Sequence, residues 1–172
     1  MNISRYPLAC FLFLLLTVPA ASADRETRSV DTEVIIAASP EDVLHAFVDS
    51  DDLRGWWKVS RTLIEPESGG VWSISWDDWG EEKTQHSWSG VIEVLSPNRL
   101  VIGRLVMNEP NMPLLGPMRL EITAEPAAGG TLLSLSHSGY RYGDHWDKMY
   151  DLVVQGWNQV LGDMAAWFLE DY

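Results

Sequence analysis

Two hydrophobic periods meet near the end of this chain, and their junction limits the folds open to it. Met118, Leu120, Ile122 and Ala124 alternate with Arg119, Glu121, Thr123 and Glu125. Leu133, Leu135 and His137 alternate in the same way with Ser134, Ser136 and Ser138. Period-two alternation marks antiparallel strands that bury one face and leave the other to water. From about Asp144 to Glu170 the spacing turns helical. Trp146, Met149, Tyr150, Val153, Trp157, Val160, Met164 and Trp167 form one stripe, with Asp147, Asp151, Asn158 and Asp163 largely off it. Such a helix is roughly 40 Å long at 1.5 Å per residue, enough to cross a small sheet. One half-buried sheet and one long helix to cover it place the chain in the α+β class.

Upstream, the punctuation fits the same plan. Asp31 to Ala38 reads as a first strand. Ser39 then offers an N-cap, Pro40 fits the first helical position, and Asp42 is placed to answer Ser39. Val43, Ala46 and Phe47 give that helix one buried face. Ser50-Asp51-Asp52 can cap a second short helix ending near Trp56-Trp57, with Gly55 weakening it. Strands are expected near Arg61–Glu65, Gly70–Trp76, Gln85–Leu95, Arg99–Met107, Met118–Glu125 and Thr131–Ser138. Pro97-Asn98 and Ala127-Ala128-Gly129-Gly130 make tight connections between neighbours. The acidic run Asp77-Asp78-Trp79-Gly80-Glu81-Glu82 reads as a solvated turn.

The first 23 residues are read apart from the fold. Arg5 gives a positive start, Leu8 to Val18 is apolar, and Ala21-Ser22-Ala23 is a small-x-small cleavage site, the three parts of a secretory signal peptide. The apolar run is shorter than the ~20 residues of a membrane span. Cleavage near Ala23 predicts an exported protein, periplasmic or secreted, with residues 24–30 as a flexible leader and one domain over 31–172. The single cysteine, Cys10, lies in the signal segment, so the mature domain relies on its core rather than on disulfides. A net charge of −13 argues against nucleic acid or an anionic membrane surface as partner.

These elements in this order resemble the START-like superfamily with the helix-grip fold, also called SRPBCC, and within it the branch of activators of heat-shock-protein-90 ATPase. The matching pieces are Ala38-Ser39-Pro40-Glu41-Asp42-Val43 with Ala46-Phe47, Trp56-Trp57, Gly69-Gly70-Val71-Trp72 and Gly90-Val91-Ile92-Glu93-Val94. Pro97-Asn98-Arg99-Leu100-Val101, Gly130-Thr131, His137-Ser138-Gly139 and Gly156-Trp157 complete them, so the resemblance covers about Val34 to Leu169. It implies a curved antiparallel sheet wrapped around a long C-terminal helix, enclosing a pocket for apolar or amphipathic molecules. It implies no shared catalytic set, and the signal peptide departs from the cytosolic setting of the heat-shock activators.

Candidates to line such a pocket are Trp72, Ile74, Trp76, Trp88, Leu120, Ile122, Leu133 and Leu135 from strands, and Met149, Val153, Trp157 and Val160 from the helix. The same periodicity equally describes a closed core. Gly156 sits beside Val153 and Val160 on the stripe, where its missing side chain leaves room for a ligand or lets an indole pack close. His137 and Arg104 share apolar strand faces and can present a donor to a ligand; a histidine so placed is also a common hydrogen-bonded core residue. Met107 to Met118 reads either as an apolar gate or as a loop packed onto the body. His86, His137 and His145 are not spaced as zinc ligands, so no metal is expected. No nucleophile elbow, phosphate loop or dinucleotide fingerprint occurs, so neither a cofactor nor a catalytic residue is assigned.

The sequence reading is thus an exported protein that binds a small apolar or amphipathic molecule without catalysis. The alternatives are a cyclase- or hydrolase-like enzyme using the same cavity, or a protein-interaction module working through the outer sheet face or Leu114-Leu115.

Overall fold

The computed structural model describes residues 26–79 and 83–170. The segment 1–23, read above as a signal peptide, lies outside the described residues. Seven antiparallel strands form one curved sheet: β1 Arg28–Ile36, β2 Arg61–Ile64, β3 Val71–Trp79, β4 Thr84–Ser96, β5 Arg99–Asn108, β6 Leu115–Ala127 and β7 Gly130–Tyr140. Their spatial order is β1-β7-β6-β5-β4-β3-β2. Two short helices, α1 Pro40–His45 and α2 Ser50–Trp56, join β1 to β2, and α3 Asp144–Glu170 runs along the inner face. Among the described residues no helix is long and apolar enough to cross a membrane.

The caps follow from side-chain chemistry. Ser39 caps α1 and its hydroxyl accepts from the Asp42 N–H. For α2 the cap is Asp49, one residue before the expected Ser50, because its carboxylate takes the N–H groups of both Asp51 and Asp52. β1 starts at Arg28, inside the expected leader, and ends at Ile36. Arg28 explains the early start: its guanidinium lies 4.0 Å from the Tyr150 ring and 4.8 Å from the Tyr142 ring, and pairs with Asp147. β3 runs on to Trp79, so Asp77 and Asp78 are strand residues rather than turn residues.

The buried stripe of α3 is Met149, Val153, Trp157, Leu161, Met164 and Phe168. Trp146, Tyr150, Val160 and Trp167, expected on the stripe, are half-buried at its margin, while Leu161 and Phe168 join it. Trp167 leans onto α2 instead, where a Cβ on Gly55 would stand 2.8 Å from its Nε1. Glycine at 55 is therefore a packing requirement.

β5 carries the main irregularity. Ile102 pairs with Leu120, yet Leu105 pairs with Met118, so three steps along β5 match two along β6. On the other side Gly103 pairs with Val91 and Val106 with Ser89, the same excess of one. The extra residue is a β-bulge, and Arg104 within it takes a positive φ of 51°. The bulge reverses the facing of the residues beyond it. Arg104 is exposed, whereas Leu105 and Met107 turn inward and are fully buried. The expectation that Arg104 shares the inner face with Leu100 and Ile102 is corrected here, since strict alternation fails where one residue is inserted.

Candidate functional site

A cavity of about 250 Å³ opens where α3 passes over the inner ends of β3, β4 and β5. Cross-strand register builds its sheet wall: Trp76 pairs with His86, and Trp88 with Met107. His86 and Trp88 are two residues apart on one strand and so share a face. Met149, Leu152, Val153, Gly156, Trp157 and Val160 form the helix wall. Trp57, the C-cap of α2, closes a third side, and Glu109 stands just past the end of β5.

The tryptophans are fixed through their N–H groups. Trp56 donates to the Ala46 carbonyl at 2.9 Å, Trp72 to Phe47 at 2.8 Å, and Trp76 to Trp57 at 3.0 Å. Each acceptor lies at a helix C-terminus, where carbonyls lack an intrahelical partner. The indoles thereby tie both short helices to the sheet and fix their own orientation. Trp57 stacks on Trp56 with centroids 5.0 Å apart and an interplanar angle of 18°, and meets Trp76, Trp88 and Trp157 at 5.2, 5.6 and 5.1 Å.

One polar chain enters this apolar surround. Thr84 Oγ1 lies 2.9 Å from His86 Nε2, His86 Nδ1 meets Glu109 Oε2, and Trp88 Nε1 donates to Glu109 Oε1 at 2.9 Å. The Glu109 side chain is only 10 % exposed, and a carboxylate so enclosed needs these donors.

His137 lies behind the cavity wall. It is fully buried among Trp88, Tyr140 and Trp157. Trp157 Nε1 can only donate, so His137 Nδ1 accepts at 3.3 Å and the ring proton sits on Nε2. The Tyr140 hydroxyl lies 2.8 Å from the same Nδ1. Burial pushes the His137 pKa down to about 3, so the ring is neutral. Burial also raises the Tyr140 hydroxyl well above its ordinary value, with the charges of Glu109 and Tyr150 adding to the effect.

Of the residues singled out in the sequence, Trp76, Trp88, Met149, Val153, Gly156, Trp157 and Val160 line the cavity. Trp72, Ile74, Leu120, Ile122, Leu133 and Leu135 are buried in the solid core and do not reach it. His137 is a core residue, and Arg104 points out. A Cβ on Gly156 would meet no atom within 4 Å, so the gap there is open space and not a seat for an indole. The segment after β5 is split: Leu115 is buried and paired with Met107, Met112 packs against the core, and Leu114 is 64 % exposed. Sequence reasoning missed Trp57, His86, Met107, Glu109 and Leu152. The shared parity of His86 and Trp88 was a readable sign of the second.

A family model described as Activator of Hsp90 ATPase homolog 1-like protein matches residues 37–168. No curated protein matches the chain in sequence. Among solved structures, an AHSA1 protein from Silicibacter pomeroyi is 20% identical, with a TM-score of 0.67 over 84% of this chain and 100% of that one. A protein from Chromobacterium violaceum is 22% identical, with a TM-score of 0.62 over 80% of this chain and 95% of that one. A protein of unknown function from Staphylococcus aureus is 16% identical, with a TM-score of 0.65 over 84% and 95%. At these identities the structures speak for the shared fold, the helix-grip arrangement of a curved sheet around a long helix.

Proposed function

We propose, since this chain belongs to the Activator of Hsp90 ATPase homolog 1-like family, that it is an exported protein holding one small apolar or amphipathic molecule between α3 and the β3–β5 wall. Family membership supports a ligand-binding or interaction role. The observation that carries the narrower reading is the cavity itself, about 250 Å³ walled mainly by indole and aliphatic carbon. That is near the lower end of small-molecule sites, which span ~300–1,000 Å³. Gly156, which costs helix stability of ~1 kcal/mol relative to alanine, adds room on the helix side. Native mass spectrometry of protein purified without detergent tests the reading. A reproducible added mass that disappears in Gly156→Leu supports it; a guest retained in that variant places binding elsewhere. Export rests on the N-terminal pattern, and N-terminal sequencing of protein recovered from outside the cytoplasm should begin at Asp24.

A second reading has one observation behind it. Thr84, His86 and Glu109 stand in series, a hydroxyl, an imidazole and a carboxylate in the order used for general base catalysis, and the last two line the cavity. An enzyme of this kind hydrolyses small aryl esters and loses kcat, with KM retained, in His86→Gln.

A further inference from the structure

We propose that the cavity selects an organic ammonium cation, a quaternary or alkylated amine, held by an indole cage and the Glu109 carboxylate. The proposal rests on the reading of the cavity as a binding site and names the charge of its ligand.

Four tryptophans, 57, 76, 88 and 157, line one small space. Their rings meet steeply: Trp57 with Trp88 at 87°, Trp76 with Trp88 at 77°, and Trp88 with Trp157 at 67°. Rings so inclined make walls on several sides, not one flat platform. Three of the four N–H groups are already donated, to the Trp57 carbonyl, to Glu109 and to His137. What those rings bring to the cavity is carbon and π density, which attracts cations and gives an anion little. Indole is the strongest of the aromatic side chains in this role.

The charge of the lining points the same way. Its ionisable side chains are His86 and Glu109, with no lysine or arginine among the described lining residues. Both His86 ring nitrogens already face partners, Thr84 and Glu109. Arg104, the one arginine the sequence suggested for this place, is on the outside of the bulge. An anionic guest would therefore meet a carboxylate and no fixed cation. A neutral guest would gain only apolar contact. A cation gains the ring faces and Glu109 together. The chain's net charge of −13 favours the approach of cations from solution as well.

Isothermal titration calorimetry on the full protein, with two probes of nearly equal shape, separates the possibilities. Choline carries a quaternary nitrogen where 3,3-dimethylbutan-1-ol carries a carbon. Choline should bind at least tenfold more tightly than the alcohol, and Glu109→Gln should cut that preference below threefold. Trp57→Leu, which keeps an apolar wall, should also weaken choline more than the alcohol. Because each variant is read by the ratio of two ligands, a general loss of folding does not imitate the result. Equal affinity for both probes, or a preference untouched in Glu109→Gln, overturns the cation and leaves the cavity as an apolar binding site. Failure of both probes overturns the cation and counts against that site as well.

Discussion

The two halves of the sheet cover one helix and do so differently. In the β1-β7-β6 half, β6 and β7 pair from Arg119–Ser138 to Ala127–Gly130 without a break in register. Its inner face is mainly aliphatic, with Leu120, Ile122, Ala124, Leu133 and Leu135 each at most 2 % exposed and His137 and Tyr140 at the end of β7. The β3-β4-β5 half shifts register at Trp76/Trp79, Ser89/Val91, Ile92/Val94 and around Arg104, and its inner face is rich in tryptophan. Regular strands carrying branched aliphatic chains interlock at crystal-like density. Bulged strands bend, and rigid rings that meet edge to face leave a gap where they fail to tile. Vacancy in this molecule is a product of bent backbone and plate-shaped side chains together.

The contrast is most exposed to test on its filled side. Ile122→Ala should cost ~2–5 kcal/mol, the range for truncating a close-packed aliphatic, while removing three heavy atoms beside the cavity, as in Met149→Ala, should cost clearly less. Chemical denaturation of the two variants compares them, and equal losses would mean that both halves are packed alike.

Acid probes the boundary between the halves, where His137 stands. Its folded pKa lies near 3, below the ordinary value of 6.5. The unfolded chain therefore takes up a proton that the native state refuses, so stability is whole above about pH 6.5 and falls as pH drops towards 3. The slope is ~1.4 kcal/mol per pH unit, about 2 kcal/mol between pH 6.5 and 5. Asp31, held low by the Ser136 and Ser29 hydroxyls, and Asp49, held low chiefly by the Asp52 N–H, add a loss that begins only as pH falls through the ordinary carboxylate value of 3.8. His137→Asn keeps an acceptor for Trp157 and Tyr140 but does not titrate. Melting curves should show a shallower slope between pH 6.5 and 5 in the variant; parallel slopes would remove His137 as the cause.

Two helix glycines report on filled and empty space with opposite signs. Gly55→Ala pushes a Cβ against the Trp167 indole, and overpacking of ~1–3 kcal/mol outweighs the ~1 kcal/mol gained in helix propensity. Gly156→Ala meets nothing and should gain ~0.5–1 kcal/mol while reducing ligand affinity. Thermal melts of the two should move in opposite directions, and a shared direction would contradict the space assigned to each.

The regular half was the legible half. Alternation in β6 and β7 and the caps of α1 were readable because each rests on neighbours within a few residues. The site was only half readable. Trp76 and Trp88 announced themselves by strand parity and Trp157 by helical spacing. Arg104 misled because an inserted residue leaves no local mark beyond the glycine before it. Glu109 and His86 are 23 residues apart and meet only because β4 and β5 pair as they do across the bulge. Leu152 lies off the buried stripe, and its place at the cavity rim depends on how α3 seats against the sheet.

The ring contacts around Trp57 also have an optical consequence. Trp56, Trp76 and Trp157 lie 5.0 to 5.2 Å from it and Trp88 5.6 Å. Indoles at such separations couple their electronic transitions, so the circular dichroism of the indole bands is governed by the relative tilt of these rings. The aliphatic half contributes almost nothing there. The protein thus carries a chromophore that includes four walls of its own cavity, Trp57, Trp76, Trp88 and Trp157, and a guest that turns one of those rings by a few degrees changes the sign or size of the signal without any label attached.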